Sequence, residues 1–138
     1  MDGISGIFFL DTLAMEAYTA STPGTSVDTS SFNSASFILA VGTVTDGEFV
    51  FTMQHSDTDV NEDFENVTTD EVVGSLPEEV STGFDGFMYK VFYRGYKRYV
   101  RVNVAATNTT DGAIFHCYVL LNNPSTSPIR IVNEAEEE

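Results

Sequence analysis

Four polar residues near the middle of the chain sit at the spacing a calcium loop uses. In "HSDTDVNEDFE" (55–65), Asp57, Asp59, Asn61 and Asp63 occupy alternate positions, as the first ligands of an EF-hand do. The pattern then departs from that loop. Position six is Glu62, where the sharp turn takes Gly, and position twelve is Thr68, where a bidentate Glu belongs. No helical periodicity flanks the segment. It reads as an acidic hairpin loop between two strands, a candidate for no more than weak, opportunistic Ca²⁺ binding. His55 and His116 fall in separate apolar runs, and His116 precedes Cys117 directly in "AIFHCYVLL". Neighbours on a strand point to opposite faces, so this pair cannot work as a Cys/His dyad. Cys117, the single cysteine, reads as a small buried hydrophobe and excludes an internal disulfide. The three or four spaced ligands of a zinc site are absent, as are G-x-S-x-G, P-loop and G-x-G-x-x-G patterns. No catalytic residue and no cofactor is assigned, and the chain is not read as an enzyme.

The remaining chemical signal is charge. Six basic residues face 21 acidic ones, for a formal net charge of −15. Five of the six fall in or beside "YKVFYRGYKRYVRV" (89–102): Lys90, Arg94, Lys97, Arg98 and Arg101. Cations interleaved with tyrosines suit stacking on single-stranded nucleic acid, but so acidic a surround opposes phosphate binding and docking on anionic lipid. No nucleic-acid or membrane partner is expected. Two readings stand side by side. In one, the cations pair with carboxylates on neighbouring strands. In the other, Lys90, Arg94, Tyr96, Lys97, Arg98, Tyr99 and Arg101 form a docking surface for an acidic patch on another subunit, since Arg and Tyr are enriched at interfaces.

The elements that must position these residues follow a period of two. In "EFVFTMQHS" (48–56), Phe49, Phe51 and Met53 share one face, the mark of a half-buried strand. "SASFILAVGTV" (34–44) precedes it across Thr45-Asp46-Gly47, which predicts a hairpin. "MYKVFYR" (88–94) and "KRYVRVNVAAT" (97–107) flank Gly95 and predict a second hairpin, with Val100, Val102 and Val104 on one face and Tyr99, Arg101 and Asn103 on the other. After the turn "NTTDG" (108–112), "AIFHCYVLLNN" (113–123) is apolar throughout, which predicts a central strand or one buried on both faces. Residues 7–22 allow one or two short strands, with a helix as the rival. Residues 21–31 read as loop. A short strand is expected around Phe64 to Val67, and a single helical turn within Asp70 to Gly74. The chain is thus expected to be all-β: one antiparallel, jelly-roll-like β-sandwich of about seven or eight strands over residues 1–138. Residues 1–26 would be an N-terminal arm or added strands, and residues 124–138 an acidic, solvated C-terminal tail.

Three stretches taken in order resemble a known group: "VDTSSF", the "VGTVTDGEFVF" turn, and "GYKRYVRV" preceded by "YKVFY". From Val27 to Leu121 the chain resembles small all-β virion structural proteins of tailed bacteriophages, encoded near the major capsid protein. The resemblance implies a non-enzymatic head decoration or vertex protein, the latter a spike or fibre base. It would bind the major capsid protein or other virion subunits, act as a homo-oligomer, and be made in the bacterial host cytoplasm and located in the virion. The alternatives are a carbohydrate-binding β-sandwich on the virion surface and a tail or neck connector.

Overall fold

The computed structural model describes residues 8–124. The acidic tail and the first seven residues of the N-terminal arm lie outside that range. Nine strands run through the described chain: β1 (Phe8–Tyr18), β2 (Val27–Asp28), β3 (Phe32–Val44), β4 (Glu48–Ser56), β5 (Glu65–Asn66), β6 (Val72–Val73), β7 (Met88–Tyr93), β8 (Tyr99–Thr107) and β9 (Ala113–Pro124). Single 3₁₀ turns at Asn61–Asp63 and Thr69–Glu71 precede β5 and β6.

Two antiparallel sheets face each other. One has the order β1-β9-β3-β7-β6, the other β2-β8-β4-β5. The pairing is nested: β1 with β9, β2 with β8, β3 with β7, and β4 with β5. Contacts β9–β3 and β8–β4 then close the two sheets. A long ribbon folded back on itself and rolled so that alternate pairs fall in alternate sheets is the jelly-roll topology. The two-residue β6 adds to the outer edge of β7.

Both predicted hairpins are instead arches that carry the chain from one sheet to the other. β3 pairs with β7 and β9, and never with β4. β7 lies in the five-stranded sheet and β8 in the four-stranded one. The physical reason is burial. A hairpin would set Phe37, Leu39 and Val41 beside Phe49 and Phe51 on one sheet face, leaving both sets uncovered. Across the sandwich they cover one another, and all five are buried. The Asp46 carboxylate shows how the arch is held. It accepts the backbone N–H groups of Thr110 (2.9 Å), Asp111 (3.2 Å) and Gly112 (2.9 Å), tying the β3–β4 arch to the β8–β9 arch. Gly112, at φ +71°, passes so close to the Tyr18 carbonyl that a Cβ there would collide with it.

Within residues 7–22, where one or two short strands or a helix were the alternatives, Phe8–Tyr18 form one long edge strand, with register breaks between Asp11 and Leu13 and between Leu13 and Glu16. At that bulge Thr12 turns inward. Its hydroxyl donates to the Thr25 carbonyl (2.9 Å) and accepts Val102 N–H (3.0 Å), tying β1 to the opposite sheet. The stretch 21–31 contains β2. β9 is central, as its apolar run implies, and β5 forms the expected short partner of β4. Phe115 of β9 is the hub of the core. Its ring stands edge-to-face with Phe49 (4.8 Å) and Phe51 (4.9 Å), the geometry that ring quadrupoles favour.

Candidate interaction surface

The basic segment is built around Tyr93. Its ring lies inside the sandwich, and its hydroxyl accepts Lys97 N–H at 3.2 Å, which bends residues 94–98 over it. A Cβ on Gly95 would run into that same ring, so the arch needs glycine there. Beneath, His55 Nδ1 sits 2.8 Å from the Tyr93 oxygen. That hydroxyl carries one hydrogen and two lone pairs, so the direction of its bond to His55 follows the histidine tautomer. His55 Nε2 faces the Glu71 carboxylate at 3.7 Å. His55 is buried, and the Tyr93 hydroxyl is pushed up to about 12, first by burial. Backbone donation from Thr68 is the main reason the Glu71 carboxyl is held below its usual range. The chain Glu71–His55–Tyr93–Lys97 therefore clamps the two sheets where the arch crosses between them.

Three of the five cations have internal partners. Lys97 Nζ lies 3.1 Å from Asp57. Arg98 forks onto Asp28, Nε to Oδ1 at 3.0 Å and Nη2 to Oδ2 at 2.8 Å, and its guanidinium holds the Asp28 carboxyl well below the usual carboxylate range. Arg101 is 8% exposed. It donates to Gln54 and to Asn61, both at 2.9 Å, and its guanidinium lies 4.1 Å from the Phe64 ring centroid. Tyr99 is half-buried with Arg98 stacked over it at 5.0 Å. Tyr96 is wholly exposed. Lys90 and Arg94 are also exposed, and no ion pair engages them among the described residues.

The four residues of the calcium-like loop do not converge on one point, although Asp57 and Asp63 line a common cavity with Glu62, Glu65 and Lys97. Asp57 goes to Lys97, Asp59 accepts from Ser26 (2.6 Å), Asn61 from Arg101, and Asp63 from Thr58 (2.6 Å). Among the described residues no group of three His, Cys, Asp or Glu side chains is placed to hold a metal. His116 meets Asp11 at 2.7 Å on the outside of the sheet, while Cys117 points inward. Burial pushes the Cys117 thiol up to about 12, so it stays protonated and unreactive.

The two outer faces of the sandwich differ. That of the four-stranded sheet is polar and cross-linked: the Gln54 side chain accepts from Arg101 and Asn103 and donates to Asn66 (3.0 Å). That of the five-stranded sheet carries several exposed apolar side chains, with Lys90, Asp11 and His116 among them. Register sets Val73, Phe92, Ser36, Leu120 and Phe9 side by side in one row across all five strands. Val73 is 53% exposed, Phe92 40% and Phe9 61%, while Ser36 (6%) in this row and Ile38 (8%) in the next are buried at the centre of the face. The next row is Lys90, Ile38, Tyr118 and Asp11, and Met88 (65% exposed) stands in the one beyond. An antiparallel sheet facing water usually alternates apolar-in with polar-out, and contiguous exposed apolar residues mark interaction sites. Sequence reasoning missed this face. Its signal was present in "MYKVFY" and "AIFHCYVLL", where the outward parity is apolar or aromatic except at Lys90 and His116.

No helix of the described residues is long and apolar enough to cross a membrane. No protein-family model matches this chain, and neither a curated protein nor a solved structure matches it.

Proposed function

We propose that this chain is a structural, non-catalytic subunit that works by protein–protein contact, and specifically a head decoration or vertex protein of a tailed-bacteriophage particle bound to capsid subunits. The observation that carries the reading is the set of exposed apolar side chains, Val73, Phe92, Met88 and Phe9, on the outer face of the five-stranded sheet, set against a polar, cross-linked outer face on its partner sheet. The jelly-roll topology suits such a role, because its loops gather at the two ends and leave the sheet faces free to pack. The three-part sequence resemblance supplies the location on a phage particle. A net charge of −15 keeps a subunit with one apolar face soluble before assembly.

A second reading is a carbohydrate-binding module on the virion surface. It is favoured by a groove of about 420 Å³ where Tyr96 and Phe32 stand beside Ser30, Ser34, Lys97 and Arg98. Aromatic faces beside hydroxyl and cationic donors are the chemistry a sugar ring takes up.

The deciding experiment is the copy number of the protein in purified virions, by quantitative mass spectrometry against the major capsid protein. One copy per capsid subunit is the result for shell-wide decoration, and a number matching the vertices is the result for a spike or fibre base. Absence from the particle overturns both readings, since each places the chain in the virion.

A further inference from the structure

The row next to the exposed aromatic one has a charge order that makes the face complementary to itself. Reading across four strands, Lys90 on β7, Ile38 on β3, Tyr118 on β9 and Asp11 on β1 stand in register. A cation lies at one side, an anion at the other, and two apolar residues between. The charged ends are three strand spacings apart, about 14 Å. Lys90 has no ion pair among the described residues, and Asp11, held at one oxygen by His116, stays 53% exposed.

We propose that this face is an isologous two-fold interface with a second copy of the chain. The proposal rests on the reading of the face as an interaction surface, and goes further by naming its occupant. A two-fold axis parallel to the strands, lying between the faces and midway between β3 and β9, reverses strand order while keeping each row in step. Lys90 then faces Asp11 of the second copy, and Asp11 faces its Lys90. Ile38 meets Tyr118, Phe92 meets Phe9, and Ser36 meets Leu120. Face-to-face sheets pack within about 30° of parallel, so the central strands keep this pairing. The same operator explains why the second copy is favoured over an unrelated acidic partner. Such a partner would satisfy Lys90 and leave Asp11 facing like charge, whereas a copy satisfies both. Five strands and three rows give roughly 400–500 Å² per copy. That is smaller than the ~800 Å² per partner of a standard interface, so a weak, concentration-dependent dimer is expected.

The test is analytical ultracentrifugation of the full chain from about 1 to 200 µM, with circular dichroism confirming that each variant is folded. Wild type is expected to shift from monomer to dimer within that range. Lys90→Asp and Asp11→Lys are each expected to weaken association about tenfold or more, and the double exchange to restore it. Phe92→Ser is expected to leave a folded monomer. A wild-type monomer throughout, a double exchange no better than the single ones, or an undisturbed dimer in Phe92→Ser each overturns the proposal. The readouts separate it from the function above. A monomer that still enters virions overturns the dimer alone, and a dimer absent from virions overturns the phage role alone.

Discussion

Tyr93 is the residue on which the basic segment depends, because its single hydroxyl serves two partners at once. It accepts Lys97 N–H and is hydrogen-bonded to His55 Nδ1 inside the sandwich. Tyr93→Phe keeps the ring, which packs edge-on to Phe37 at 6.0 Å, and removes only the oxygen. His55 then keeps a buried nitrogen with no partner, which costs about 1–3 kcal/mol. The expected outcome is a lower urea midpoint with an unchanged m-value, since the surface exposed on unfolding is the same. An unchanged midpoint would mean that water replaces the hydroxyl and that the clamp contributes nothing to stability. Arg101 shows the same principle without a net ion pair. Its hydrogen-bond partners are the neutral amides of Gln54 and Asn61, and its flat guanidinium also covers Phe64, a combination that lysine cannot reproduce.

At the scale of elements, the arches decide the topology, and Asp46 holds two of them together. Backbone donation from Thr110, Asp111 and Gly112 keeps its carboxyl below the usual range. A group whose pKa is lowered by folding stabilises above its unfolded value and ceases to as pH falls through its folded value. Asp46→Asn should therefore lower the thermal midpoint at pH 7, and the gap to wild type should shrink once pH drops below the ordinary aspartate value of about 3.9. A gap independent of pH would mean that the carboxylate's charge is irrelevant to the arch. The same residue marks the boundary of what is legible in the sequence. Period-two alternation identifies the strands and their inner faces, so alternation alone assigns Val100, Val102 and Val104 to the core. It does not decide between hairpin and arch, because Asp-Gly serves both and the partners of Asp46 lie 64 to 66 residues along the chain. The candidate surface follows the same rule. The cations are evident as a cluster, but the partners of Lys97, Arg98 and Arg101 lie 40 to 70 residues away. The outer apolar row exists only once five strands are in register.

At the scale of the whole molecule, two electrostatic effects of opposite sign share the acid range. With 21 acidic and six basic side chains, the folded state repels itself at neutral pH. Protonation of ordinary carboxylates relieves that repulsion as pH falls toward the pI of about 4.1. Asp28, Asp46 and Glu71 act the other way. All three have lowered values, so their contribution is intact at neutral pH and is lost at pH values below the ordinary carboxylate range. Relief therefore begins before the loss does. Stability should rise on moving from pH 7.5 to about 5 and fall again by about pH 3. Salt should mimic only the first effect. Raising ionic strength from 0.01 to 0.15 M shortens the screening length from about 30 to 8 Å. That screens the long-range repulsion while taking little from the exposed Lys97–Asp57 and Arg98–Asp28 pairs, which contribute little at a solvated surface. Thermal melts of a dilute solution across both variables separate the two effects. The expected pattern is a midpoint that rises with salt at pH 7.5 and is nearly indifferent to salt near pH 4. A midpoint that falls with salt at pH 7.5 would mean that the paired cations outweigh the net charge, and that the acidic surface is not what limits stability.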